Sequence, residues 1–268
     1  MTHFIHLTDL HVSHPDAHDP GQKTDPPDTL RRVVDIINAM PLQPDFIIAS
    51  GDLTNLGDAL SYGLLRDLLT PLHAPLIMAL GNHDDRSGFH QVFNDVDTAA
   101  PYFRDGVYGG LHVITLDTGV PGHVAGTIEM AQFDYLTQAL NRHVDVPKLL
   151  IMHHPPRIDP DGLPWASIDR ASTDRLADTL CDQNVVGIMS GHIHINRVSH
   201  WHGIPIVTTN GLNSTVDLLE TSDLRIVEGT GFGLCDWKPT GLSVSFVPLS
   251  PAAQELGVID QARLRSFT

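Results

Sequence analysis

The chain predicts an α/β fold, and three observations carry that reading. Short apolar runs of strand length alternate with stretches whose apolar residues follow a 3.6-residue period. A chain of 268 residues, 41% of them hydrophobic, can bury a full core. Polar clusters stand just past the carboxyl ends of the apolar runs, where open α/β sheets place their ligands.

Each element follows in order. "FIHL" at 4–7 reads as a strand. Leu30, Val33, Val34, Ile37 and Met40 predict a helix over 28–40, with Asp25 before Pro26 as its start signal. "FIIAS" at 46–50 is a buried strand, and Leu64, Leu65, Leu68, Leu69 and Leu72 mark a second helix. "LIMAL" at 76–80 and "LHVITLD" at 111–117 are further strands. A helix over 129–143 follows from Phe133, Leu136 and Leu140. A strand at 149–152, a helix at 173–182 and a strand at 185–189 complete the alternation. Residues 197–247 read as short strands broken by Gly, Pro and Asn, with no polar linker setting them apart. From Ser250 onward the chain reads as a helix or a packed tail. The expected organisation is one domain over 1–250 with a C-terminal tail over 251–268.

Composition excludes several classes. A formal charge of −16, from 32 acidic and 16 basic residues, repels long polyanions and argues against nucleic-acid binding as the main role. Two cysteines, Cys181 and Cys235, lie outside any CxxC and make a thiolate site or disulfide scaffold improbable. The start "MTHFIHLTDLH" carries no visible signal peptide, and no apolar run approaches the ~18 residues of a membrane span. A cytoplasmic protein is expected. Histidine is the unusual count, at 17 residues.

Five segments just after predicted strands gather the candidate chemistry. "TDLH" supplies Asp9 and His11, "SGDLTN" supplies Asp52, and "LGNHDD" supplies Asn82, His83 and Asp84. "MHHPP" supplies His153 and His154, and "SGHIH" supplies His192 and His194. Each segment alone is a weak signal. Together they give the mixed imidazole and carboxylate set that suits Zn, Mn, Fe or Co rather than Mg or Ca. A carboxylate can bridge two cations, and two ions ~3.5–4 Å apart clamp an in-line displacement at phosphorus. Gly51, Gly81 and Gly191 are expected to let each loop turn sharply from strand to ligand.

The order Asp-x-His, Gly-Asp, Gly-Asn-His-Asp, His and Gly-His-x-His resembles the calcineurin-like metallophosphoesterase family, over residues 9–194. "GNHDD" and "MHHPP" resemble most its bacterial branch of class III cyclic-nucleotide phosphodiesterases and glycerophosphodiesterases. The resemblance implies a four-layer α-β-β-α sandwich with a dinuclear site on top. It implies two divalent ions, with Asp9, His11 and His194 on the first, Asn82, His153 and His192 on the second, and Asp52 between them. It makes His83 the group that contacts the phosphoryl or leaving oxygen, with Asp84 orienting it. His154 and Asn55 fall on the substrate side. Asn55 stands where ferric relatives carry tyrosine, so no purple tyrosinate site is expected; its alternative role is to stabilise the turn.

The expected reaction is hydrolysis of a small phosphodiester by in-line attack of hydroxide. Two divalent ions bring about four positive charges, and Asp9, Asp52 and the hydroxide cancel about three, which suits a diester monoanion. No dense Arg/Lys cluster accompanies the motifs. The substrates expected are 3′,5′- or 2′,3′-cyclic nucleotides or glycerophosphodiesters. A phosphomonoesterase, nuclease or phosphoprotein phosphatase of the same fold, and a non-catalytic interaction module, remain the alternatives. Loops 12–27, 118–126, 155–171 and 208–230 are expected around the site, with Trp165, Arg157 and Arg225 among their side chains. Residues 208–268 are the expected contact in a homo-oligomer.

Overall fold

The computed structural model of the chain describes residues 1–94, 96, 98–249 and 255–266. Two mixed sheets lie face to face. The first runs β13-β12-β1-β2-β3, from β1 (Thr2–Leu7), β2 (Phe46–Ala49), β3 (Leu76–Met78), β12 (Gly231–Lys238) and β13 (Gly241–Pro248). The second runs β4-β5-β6-β7-β9-β8. Its strands are β4 (Arg104–Tyr108), β5 (Leu111–Thr115), β6 (Lys148–Ile151), β7 (Val185–Ser190), β8 (Arg197–Trp201) and β9 (Ile204–Thr208).

Strand alternation builds the layers. Phe4, Phe46 and Ile48 point inward and meet Val113, Leu149, Ile151 and Met189 from the facing sheet. Their neighbours Ile5, Leu7, Ile47 and Ala49 point the other way, under α1 (Pro26–Asn38), α2 (Ala59–Leu69) and α3 (Arg86–Phe93). On the opposite side, Ile114, Leu150 and Ile188 pack under α4 (Met130–Arg142) and α5 (Arg170–Leu180). The result is the α-β-β-α sandwich.

Asp25 caps α1 as its sequence suggests, its side chain accepting from the Asp28 amide at 2.9 Å. Strand β4 and helix α3 are absent from the sequence reading, and Glu255–Ile259 forms a strand where a helix or packed tail is expected. Strand β4 carries little apolar alternation and exists by pairing with β5 through a tight hairpin at Gly109 and Gly110, both at positive φ. Helix α3 is short and holds a glycine, Gly88, but Asp85 caps it at the Gly88 amide, 2.8 Å away.

A third, small sheet runs β10-β11-β14, from β10 (Thr215–Val216), β11 (Leu224–Val227) and β14 (Glu255–Ile259). The last element among the described residues is α6 (Gln261–Arg265), whose Leu264 is buried. Residues 250–254 and 267–268, which include the expected boundary of the tail, lie outside the described residues. No helix among the described residues is long and apolar enough to cross a membrane.

Candidate metal centre

The site forms at the carboxyl ends of β1, β2, β3, β6 and β7, where the five segments converge. Four imidazoles are aimed there by the same device. His153 lies 3.0 Å by Nδ1 from the Ser50 carbonyl, and His194 lies 3.0 Å by Nδ1 from the Ser214 carbonyl. His192 lies 2.6 Å by Nε2 from the Trp165 carbonyl. A carbonyl only accepts, so each ring nitrogen must carry its hydrogen there. His11 gives Nδ1–H to Asn55 Oδ1 at 2.8 Å, and the Asn55 amide is fixed by donating its own hydrogen to Asp19 Oδ2. In each ring the other nitrogen is left with a lone pair facing inward. This is the anchoring that sets the tautomer and direction of metal-ligating histidines.

The inward nitrogens of His11, His153 and His194 meet two carboxylates. His153 Nε2 lies 3.2 Å from Asp52 Oδ2 and 3.9 Å from Asp9 Oδ1, without the alignment of a hydrogen bond. His194 Nε2 lies 3.3 Å from Asp9 Oδ1 and 3.3 Å from His11 Nε2. His11 Nε2 lies 3.6 Å from Asp52 Oδ2. With both rings neutral, two acceptor nitrogens 3.3 Å apart beside two carboxylates leave nothing among them to donate. Asn82 Oδ1 is likewise buried without a partner. Such a set of oxygen and nitrogen acceptors fits divalent cations. Asp9, His11 and His194 bring donor atoms within 4.8 Å of one another, as do Asp9, Asp52 and His153, and also His11, Asp52 and His83.

The electrostatics report the same demand. Burial opposes charge on Asp9 and Asp52, yet their histidine neighbours hold both carboxyls below the usual range. Burial alone would depress His153 and His194, but Asp52 and Asp9 raise His153 to about 9 and Asp9 raises His194, so without ions each takes on its inward nitrogen a proton that a cation would displace. His11 and His192, where burial dominates and neighbouring histidines add to it, are pushed down to about 3 and about 4 and stand neutral.

The backbone is bent to make this cage. Asp9 (φ 50°), His11 (43°), Asp52 (47°), His192 (71°) and His194 (51°) all lie in the left-handed region. They are five of the eight such non-glycine residues among those described, a concentration typical of strain held at functional sites. The turn is therefore made by the ligand residues as much as by glycine. Gly51 does have φ 112°, but Gly81 and Gly191 serve close approach. A Cβ on Gly191 would stand 1.8 Å from Thr8 Oγ1, and one on Gly81 would stand 2.2 Å from Asp52 Oδ1.

Three sequence expectations change. Asp84 does not orient His83. Its carboxylate accepts from the amides of Gly81 (2.9 Å), Leu53 (3.0 Å) and Thr54 (3.1 Å) and from the Tyr62 hydroxyl (2.9 Å), tying the Asp52 loop to the Asn82 loop. Burial, then repulsion from Asp52, raises it to about 6. His83 instead gives Nδ1–H to the Asn55 carbonyl at 3.0 Å and keeps Nε2 open, while its amide donates to Asp52 Oδ1 at 2.9 Å. His154 does not face substrate. It is fully buried, accepts from the Thr118 hydroxyl at Nδ1 (2.8 Å) and donates from Nε2 to the Val124 carbonyl (2.9 Å). Asn55 spends its side chain on His11 and Asp19 rather than on a ligand.

Among the loop residues, Trp165 acts here through its carbonyl, and Arg157 reaches carbonyls of its own loop, Gly162 at 2.7 Å and Pro160 at 3.1 Å. Arg225 pairs with Asp217 and Glu255 in the small sheet. Sequence reasoning missed the anchors Ser50, Ser214 and Asp19, and the part that Trp165 plays through its carbonyl rather than its ring. Ser50, Ser214 and Trp165 act through backbone carbonyls, which any residue type supplies, so the sequence carries no signal for them.

A double sheet with this cage on its rim defines a metal-binding phosphoesterase class. The model of the calcineurin-like phosphoesterase family matches residues 2–196, and the chain belongs to that family. It is 36% identical to a protein of Rhodococcus erythropolis named a probable cyclic nucleotide phosphodiesterase, over 81% of this chain and 73% of that one. It is 27% identical to a probable glycerophosphodiester phosphodiesterase of Arcobacter nitrofigilis, over 70% and 69% of the two chains. A dimetal phosphatase from Danio rerio shares the fold, with a TM-score of 0.59 at 12% identity, covering 94% of this chain and 99% of that one.

Proposed function

We propose that the chain is a dinuclear-metal-dependent hydrolase of small phosphodiesters. One observation carries the reading. Four imidazoles, three buried and His194 partly buried, each give one N–H to an outward acceptor, and His11, His153 and His194 turn their other nitrogen toward Asp9 and Asp52. Asp9, His11 and His194 would hold one ion, Asn82, His153 and His192 the other, with Asp52 between them. Two such ions would supply Lewis-acid stabilisation of the phosphoryl oxygens and an acidified water as nucleophile.

The chain's own residues do the rest. His83 keeps Nε2 free while Asn55 and Asp52 fix its ring and backbone, so as an imidazolium it would give the Nε2 proton to the departing oxygen. Asp84 locks the two loops that carry Asp52 and Asn82 into one frame. A diester is favoured over a monoester by the lack of spare positive charge. Arg86 is committed to Asp117 at 2.9 Å, the Gly119 carbonyl at 2.9 Å and Glu129 at 3.3 Å, and Arg157 to its own loop. Neither is left for the second charge of a monoester dianion. The relatives named above narrow the substrates to cyclic nucleotides or glycerophosphodiesters. Free Cys181 and Cys235 suit a reducing compartment, in keeping with a cytoplasmic enzyme. An oligomer contact through 208–268 would use the exposed Leu218, Leu219 and Val258.

The test is turnover by protein reconstituted with Mn, Zn or Fe, on bis(p-nitrophenyl) phosphate, p-nitrophenyl phosphate, 3′,5′- and 2′,3′-cyclic AMP and glycerophosphoethanolamine. The reading expects metal-dependent hydrolysis with diesters ahead of the monoester. Faster hydrolysis of the monoester overturns the substrate class, and no turnover of any compound favours an interaction module.

A further inference from the structure

Of the two histidines of the Gly-His-x-His turn, His194 is held directly by residues after the family match, which ends at residue 196, and His192 is held through a turn on which such residues pack. His194 gives Nδ1–H to the Ser214 carbonyl at 3.0 Å, and the Thr215 hydroxyl donates back to the His194 carbonyl at 2.7 Å. Thr215 opens β10, and β10 exists only as the edge of the small sheet, paired with β11, which is paired in turn with β14. His192 is held by the Trp165 carbonyl, within the single helical turn Pro164–Ala166. Helix α6, whose Leu264 is buried, contacts that turn. The last described residues thus reach both histidines by two routes, one through the sheet and one through the helix.

We propose that the small sheet and α6 form a clamp that positions His192 and His194 and so sets the affinity of the two metal sites. The inference rests on the dinuclear reading above. Thr215 and Leu264 are positioning residues: neither side chain offers an atom to the ions, and each acts through a neighbour. Loss of the Thr215 hydroxyl frees the carbonyl of His194 and loosens the left-handed turn at that residue, where φ is 51°. Loss of Leu264 packing releases the turn that carries the Trp165 carbonyl. The two effects fall on different ions, because His194 and His192 serve different ones.

The experiment is Mn²⁺ titration of the metal-free full-length chain by calorimetry, for the parent, Thr215→Val, Thr215→Ser and Leu264→Ala. Partners that orient metal ligands are worth about 10–100-fold in affinity. Thr215→Val is expected to weaken one of two Mn²⁺ sites about tenfold, and Thr215→Ser to restore it. Leu264→Ala is expected to weaken the other site. In the Mn²⁺-saturated enzymes KM stays near the parent value. Thr215→Val removes a single hydroxyl, so its outcome stands independently of how well the Leu264 variant folds. A parent that binds two Mn²⁺ alongside variants with unchanged affinities overturns the clamp and leaves the dinuclear reading intact. A parent that binds no Mn²⁺ overturns both.

Discussion

Two groups of histidine and aspartate sit at opposite ends of the double sheet, and only one is built for a cation. The first follows the carboxyl ends of the strands. The second lies at the amino end of β5 and β6, where His112 faces Lys148 across the ladder. There Asp105 accepts from His112 Nε2 at 2.7 Å and from the Arg142 guanidinium and the Tyr135 hydroxyl. Its oxygens are saturated by donors. In the first group the carboxylates take only backbone amides on one side, His192 on Asp9 at 3.1 Å and His83 on Asp52 at 2.9 Å, and face lone pairs on the other. Every trio of donors close enough to hold an ion among the described residues belongs to the first group. Residue type does not separate the two; the direction in which each imidazole spends its hydrogen does.

Substitutions should break this contrast unequally. Asp52→Ala removes the carboxylate proposed to stand between two ions. It is expected to cost at least about a thousandfold in diester turnover, several kcal/mol of barrier, and to lower metal content, read by kinetics and elemental analysis. Asn55→Ala leaves every proposed ligand in place but removes the acceptor of His11 Nδ1–H and one of the donors to Asp19, which keeps Ser13 and Gly21. A loss of about 10–100-fold in metal affinity or turnover is expected, and a change in KM alone would instead return Asn55 to the substrate side.

Asp105→Asn tests the other group and should have the smallest effect. Burial works against the Asp105 charge, but Arg142, Tyr135 and His112 hold its pKa down at about 2. A carboxyl depressed in the folded state stabilises above its unfolded pKa, near 4, and that contribution fades as pH falls toward 2. The variant should therefore melt a few degrees below the parent at pH 7, with the gap closing between pH 4 and pH 2 in a pH series of thermal melts. Its metal content and turnover should match the parent.

The parts of this account that were legible in the sequence are those written in side-chain type. The apolar run at 4–7 marked β1, and the five His/Asp segments announced the ligand candidates. Strand β4 was not legible, because its residues are held by pairing with β5 rather than by their own burial; the Gly109–Gly110 pair was its one available signal. Asp84, His154 and Asn55 were named as part of the site, but their work depends on which amide, hydroxyl or ring lies across a loop boundary, and spacing along the chain does not encode that. The C-terminal clamp was invisible for the same reason: its contacts run through the carbonyls of Trp165 and Ser214.

The most direct test is anomalous diffraction from a crystal grown with saturating Mn²⁺. Two peaks are expected, one among Asp9, His11 and His194 and one among Asn82, His153 and His192, with Asp52 reaching both and nothing beside Asp105. An absence of peaks at the first group, or a single ion bound without Asp52, would contradict the dinuclear account.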